Sequence, residues 1–203
     1  VNDLAGYKMY QAGLKFVLEC ALKDTYGENM EVVYNHSIAR GIHATIEGPI
    51  PFTKDMTSKL KNKMATIIQD NLPIKKLNIA SKEAYHYYIS TNNLEKAHNI
   101  HNISNSLILL YQLENHINYF YVEMPYSTRC LNLFDLTFLN ENELVLLFPT
   151  PRSKNSIPEY IHYEKVIACF KEEKDWLRKK NIPYVADINS LISQSRGKDL
   201  VRL

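Results

Sequence analysis

The sequence predicts an α+β fold in which helices pack on one face of a mainly antiparallel sheet, followed by a C-terminal helical extension. Three observations predict it. Apolar residues recur at the helical period of about 3.6 residues over 7–26 and 53–68. Apolar, aromatic and β-branched runs alternate with turn-prone groups over 30–47 and 106–148. Pro149, Pro151 and Pro158 then mark a linker before a second helical texture. Residues 1–148 are therefore expected to form one α+β domain, and 149–203 a proline-marked linker with a helical extension.

Residues 7–26 make about five helical turns. Met9, Ala12, Phe16, Val17 and Cys20 share one face, and Lys15, Glu19 and Lys23 another. Gly27 stands where the helix should stop. Residues 30–37 and 41–47 form a hairpin around a short turn at Ala39-Arg40. Gly48-Pro49-Ile50-Pro51 breaks the pattern. Thr53 is a natural N-cap for the next helix, and Asp55 in its first turn suits the dipole. Met56, Leu60, Met64 and Ile67/Ile68 stripe that helix. Residues 74–79 form a strand, Ser81 and Glu83 open a polar, aromatic helix through Tyr88, and 94–101 is a short helical turn. LILLYQL, INYFYVE, LNLFDLTFL and ELVLLFP predict an antiparallel meander. Tyr163, Val166/Ile167, Phe170 and Leu177 stripe a helix ending near Lys180, and 185–193 forms a last one.

The bulk numbers exclude several classes. With 45% hydrophobic and 23% charged residues the chain can bury a sizeable core beneath an ordinary polar surface. A net charge of +2, with lysines and glutamates interspersed, does not resemble a dedicated nucleic-acid binder. No stretch approaches the roughly 20 apolar residues of a membrane span. The amino terminus shows no signal pattern and does not begin with Met, so a processed or excised chain is the expectation. Cys20, Cys130 and Cys169 are odd in number and far apart. They are expected to be small buried hydrophobes in a reducing cytoplasm.

Motifs for chemistry are sparse. Phosphate cradling by a P-loop needs GxxxxGK[ST], and the only Gly-Lys pair, Gly197-Lys198, runs into Asp199 without the upstream glycine. GxGxxG, HExxH and GxSxG are also absent. His98 and His101 have a chelating i, i+3 spacing, but they sit among asparagines and are better read as a solvated turn. His36 and His43 fall where the hairpin strands face each other. Tyr119, Tyr121 and Glu123 share a strand face by the period of two, a polar wall for a small ligand. These five are the ligand-pocket candidates; no catalytic residue and no metal ligand is assigned.

The order of pieces resembles a known module. The helix ending Thr25-Tyr26-Gly27, the hairpin VVYNHSIARGIHATIEG, the helix start PFTKDMTSKLKNKM and LPIKKLNIASKEAYHYY resemble the editing-type second domain of threonyl-tRNA synthetases. In that family a helix-borne HxxxH and a later CxxxH motif line a hydrolytic cleft. Registration on Tyr26-Gly27 and Met124-Pro125 puts those positions at Ala12, Phe16, Tyr119 and Glu123, all four substituted. The whole of 7–203 more closely resembles the region preceding the P-loop domain in bacterial uridine kinase-like nucleoside kinases. The pieces carrying this are FVLECALKDTYG, YNHSIARG, INYFYVEMPYST and LVLLFPTPRSKNSIPEY. Gly41-Ile42-His43 departs from that family's usual Gly-Tyr-Tyr.

This resemblance implies a parent that transfers a phosphoryl group from ATP to uridine or a related nucleoside with Mg²⁺. The chain would be its accessory region, holding no cofactor itself, with the downstream kinase domain of the same polypeptide as partner and a small ligand or tRNA as the further candidates. Two other readings stand beside it: a tRNA- or nucleotide-binding module, and, less favoured, a residual aminoacyl-tRNA deacylase.

Overall fold

The computed structural model describes residues 3–38, 40–91, 93–101, 106–182, 185–196 and 198. Ala39 of the expected turn and Gly197 of the Gly-Lys pair lie outside the described residues. In chain order the elements are α1 (Leu4–Tyr26), β1 (Glu31–Ile38), β2 (Gly41–Glu47), α2 (Lys54–Gln69), β3 (Ile74–Ala80), α3 (Ser81–Ser90) and α4 (Leu94–His101). Then follow β4 (Leu107–Leu113), β5 (His116–Tyr119), a 3-10 turn (Thr128–Leu131), β6 (Asp135–Asn140), β7 (Glu143–Leu147), α5 (Glu164–Lys179) and α6 (Val185–Ser193). The class is α+β with antiparallel sheets.

Residues group into two compact units, Val1–Leu77 with Leu109–His162, and Asn78–Ile108 with Tyr163–Leu203. In the first unit one sheet has the order β1-β2-β7-β6, with every neighbouring pair antiparallel. A second sheet runs β3-β4-β5, and its β4–β5 pair is an antiparallel hairpin. The four late strands are thus split between two sheets instead of forming one meander. The cause lies in residues 120–134. Met124 N–H bonds the Tyr111 hydroxyl at 3.3 Å instead of a strand neighbour, and the chain then turns through the 3-10 segment. Thr128, fully buried, locks that turn: its hydroxyl donates to Ile67 O at 2.9 Å and accepts from Leu72 N–H at 3.0 Å.

α1 starts earlier than its apolar stripe suggests because Asp3 caps it, Oδ1 accepting from Gly6 N–H at 2.6 Å. It ends at Gly27, whose φ of +99° suits a residue without Cβ. Thr53 occupies the N-cap position of α2, but its side chain makes no capping bond. The core of this unit sits between α1, α2 and one face of the four-stranded sheet. Leu14, Phe16, Leu18, Leu60 and Met64 meet Ile42, Ala44, Ile46, Leu144 and Leu146. Gly41 lets β2 and β7 approach closely, since a Cβ there would lie 2.4 Å from Val145 Cγ1. Asn142, at φ +63° in the β6–β7 turn, ties down the proline loop: Oδ1 accepts from Phe52 N–H at 2.6 Å and its own N–H donates to Phe52 O at 3.0 Å.

In the second unit α3 packs on α4, burying Ala84, Tyr88, Ala97 and Ile100. The α5 stripe expected to face a core is mostly wet. Ile167 is buried, whereas Tyr163, Val166 and Phe170 are exposed, because this helix lies at the surface of its unit. The cysteines also depart from expectation. Cys20 is buried in α1, but Cys130 and Cys169 are exposed, the first on a turn whose inward positions are Thr128 and Leu131, the second on α5. No helix among the described residues is long and apolar enough to cross a membrane.

Candidate functional site

The hairpin carries its two histidines to one spot. A two-residue turn pairs Ile38 with Gly41, so the register places His36 opposite His43. Strict alternation would then turn Tyr34 and His36 to the same face. A bulge between Tyr34 and His36 prevents it. Tyr34 packs against the core, its hydroxyl donating to Lys15 O at 2.8 Å. Asn35 stays exposed, its Nδ2 donating to Thr45 Oγ1 at 2.8 Å. The two imidazoles stack on the other face of the sheet, ring centroids 4.7 Å apart and planes 28° apart. His43 is 4% exposed.

Two residues that no sequence pattern marked complete this group. The Tyr160 hydroxyl lies 3.5 Å from His43 Nε2 and 3.2 Å from His162 Nδ1. Burial raises the Tyr160 pKa, with the Glu143 carboxylate adding to it. The result is three imidazoles and one neutral phenol joined by ring contacts, a set able to relay protons or to hydrogen-bond a polar ligand. Neither partner was legible because Tyr160 is 117 positions from His43.

The other candidates form a second group. β5 ends at Tyr119, so Tyr121 and Glu123 do not continue a strand face. The Tyr119 N–H bonds the Asn118 side chain at 2.9 Å, and the chain bends immediately after. Tyr119 and Tyr121 still meet edge to face at 5.6 Å, with Tyr121 81% exposed. Glu123 turns elsewhere. Its Oε1 accepts from Lys76 Nζ at 2.6 Å and its Oε2 from the Tyr111 hydroxyl at 3.1 Å. The Lys76 and Tyr111 hydrogen bonds hold the Glu123 carboxyl below its ordinary range. Burial leads in pushing Tyr111 upward. A carboxylate so held is a poor general base.

The positions matched to the editing cleft's helix histidines lie in the core. Ala12 is 5% and Phe16 1% exposed, and the Phe16 ring packs on Phe120 at 5.4 Å. Among the described residues no group of three or more His, Cys, Asp or Glu could hold a metal ion. His101 instead lies against the Tyr85 ring at 5.6 Å. Set beside known proteins, the chain matches no protein-family model and no curated protein significantly.

Proposed function

We propose that this chain is a non-catalytic accessory region of a bacterial uridine kinase-like nucleoside kinase, built on an editing-domain-like scaffold that has lost its hydrolytic groups. The observation that carries the reading is the apolar filling at Ala12 and Phe16, with the Phe120 ring tilted against the latter. Side chains that neither coordinate nor transfer protons supply no hydrolytic chemistry. Glu123, the other cleft position able to act, is tied to Lys76 and Tyr111. The sequence also offers no phosphate loop, so the ATP and Mg²⁺ of such a parent do not fit on these residues. Two assays test the reading together: hydrolysis of mischarged aminoacyl-tRNA, and phosphoryl transfer from ATP to uridine, both by the purified chain. Background rates are expected in both, and turnover in either overturns it. The kinase context is tested by sequencing the gene beyond the Leu203 codon, where a strand followed by GxxxxGK[ST] is expected.

A second reading, a binding module for tRNA or a nucleotide, is favoured by one surface feature. Tyr121 and Tyr126 are 81% and 87% exposed, and Ile74 N–H bonds Tyr126 O at 2.9 Å, next in the chain to exposed Lys75 and Lys76. Exposed aromatic rings beside lysines suit stacked bases and phosphates. Binding that weakens steeply with salt, and is lost in a Tyr121→Ala/Tyr126→Ala variant, is the expected signature; salt-independent or absent binding removes this reading.

A further inference from the structure

We propose that His36, His43 and Tyr160 form a proton-operated latch that holds the segment around Tyr160 against the outer face of the four-stranded sheet. Three observations carry it, independently of the kinase reading. The imidazoles are stacked at 4.7 Å across two strands, His43 is almost fully withdrawn from water, and the Tyr160 phenol lies against that ring, at 3.5 Å to Nε2 and 5.7 Å between rings. Two cations held face to face at that separation in a half-buried site repel strongly. One proton can be shared within the group, whereas a second must drive the rings apart and dislodge the phenol that caps them.

Charged groups also surround the pair. By strand pairing, Glu47 and Glu31 share the outer face farther along β2 and β1, and Glu143 and Asp135 share it on β7 and β6. Asp135 is paired with Lys61 at 2.6 Å, and Glu143 accepts from Asn140 Nδ2 at 2.8 Å. Arg40 stands at the hairpin turn, and Glu159 and His162 flank Tyr160 in the chain. The carboxylates favour the first proton on the pair.

The test is hydrogen exchange of peptides covering 156–162 in the full chain, at pH 7.5 and pH 5.0, corrected for the intrinsic chemical rate. Opening at least tenfold faster at the lower pH is expected in the native sequence. His36→Phe, which keeps a stacked ring but removes one proton site, should flatten the dependence, and Tyr160→Phe should open the segment already at pH 7.5. A native change below tenfold, or a tenfold change that persists in His36→Phe, overturns the proposal. Should His36→Phe not fold, proton NMR titration of the native histidine rings decides. Two separated transitions, the lower coinciding with segment opening, are expected; a transition uncoupled from opening refutes the latch.

Discussion

Gly41→Ala is the sharpest probe of how the site is held, because a Cβ at Gly41, two residues before His43, would run into side chains of β7. The new Cβ would lie 2.4 Å from Val145 Cγ1 and 2.8 Å from Leu147 Cδ2. Both neighbours are buried, at 0% and 4%, so neither can swing into water. Overpacking a tight site by one methyl costs about 2 kcal/mol. The reduced entropy of the unfolded chain returns about 0.7 kcal/mol. The net loss is then about 1.3 kcal/mol, and with a urea slope of about 2 kcal/mol/M the unfolding midpoint should fall by about 0.6 M. Far-UV circular dichroism in urea measures it. Val145→Ala removes the offending Cγ1, so the double variant should be more stable than the two single losses sum to, by about 1 kcal/mol. An unchanged or higher midpoint in Gly41→Ala, or strict additivity in the double variant, would show that the close approach of β2 and β7 is not what requires glycine here.

Phe16→Ala should cost about 3–5 kcal/mol through the cavity it leaves beside Phe120, and Phe16→His should be destabilised too while showing no deacylation; thermal melts and a deacylation assay check both. Tyr10→Phe leaves both backbone groups of Leu133 unmet, since the hydroxyl donates to its carbonyl at 3.0 Å and accepts from its N–H at 2.9 Å, so about 1–3 kcal/mol should be lost. Burial, opposed by the Leu133 bond, pushes the Tyr10 phenol up to about 12. An unfolded phenol ionises near pH 10, so the folded state keeps its proton and this contribution is lost as pH rises from about 10 to about 12; urea melts should converge for wild type and Tyr10→Phe across that window. Burial acts to raise Asp24, but hydrogen bonds from His116 at 2.7 Å and Lys63 at 3.0 Å outweigh it and hold the carboxyl low. Its stabilisation is therefore present above the unfolded value near 4 and is lost as pH falls below it. Asp24→Asn should cost less than about 1 kcal/mol at neutral pH, with a shallower loss of stability below pH 4 in acid titrations of the melting midpoint.

Local physics made much of the fold legible. The 3.6-residue stripe of α1, the proline break before α2 and the hairpin of β1 and β2 are each decided by neighbours a few residues apart, and each appears with its expected bounds to within a few residues. Sheet membership is not a local property. β7 pairs with β2 about a hundred positions away, matching Leu144 and Leu146 to Ala44 and Ile42, and nothing in ELVLLFP says which strand it will join. The 3-10 turn at Thr128–Leu131 was equally hidden, because its anchors, Ile67 O and Leu72 N–H, belong to the end of α2 and the loop beyond it.

The same division runs through the site. His36 and His43 could be paired on paper because a two-residue turn fixes the register, although only the bulge at Asn35 decides that Tyr34 goes inward while His36 goes outward. The period-two argument for Tyr119, Tyr121 and Glu123 required a strand that ends at Tyr119, so it delivered a ring contact and not a wall. Glu123 shows why this matters for function. A carboxylate facing an open pocket would be a candidate base, but Lys76, 47 positions upstream, and Tyr111 occupy both its oxygens. The carboxylate therefore serves to fasten β3 and β4 to the loop that follows β5. Ala12 and Phe16 are packed into the core of the first unit, and Glu123 is held at its surface by Lys76 and Tyr111. Polar replacements at Ala12 or Phe16 would accordingly unsettle the fold, whereas the imidazoles of the hairpin stack on the sheet face away from that core, where their protonation can change without dismantling it.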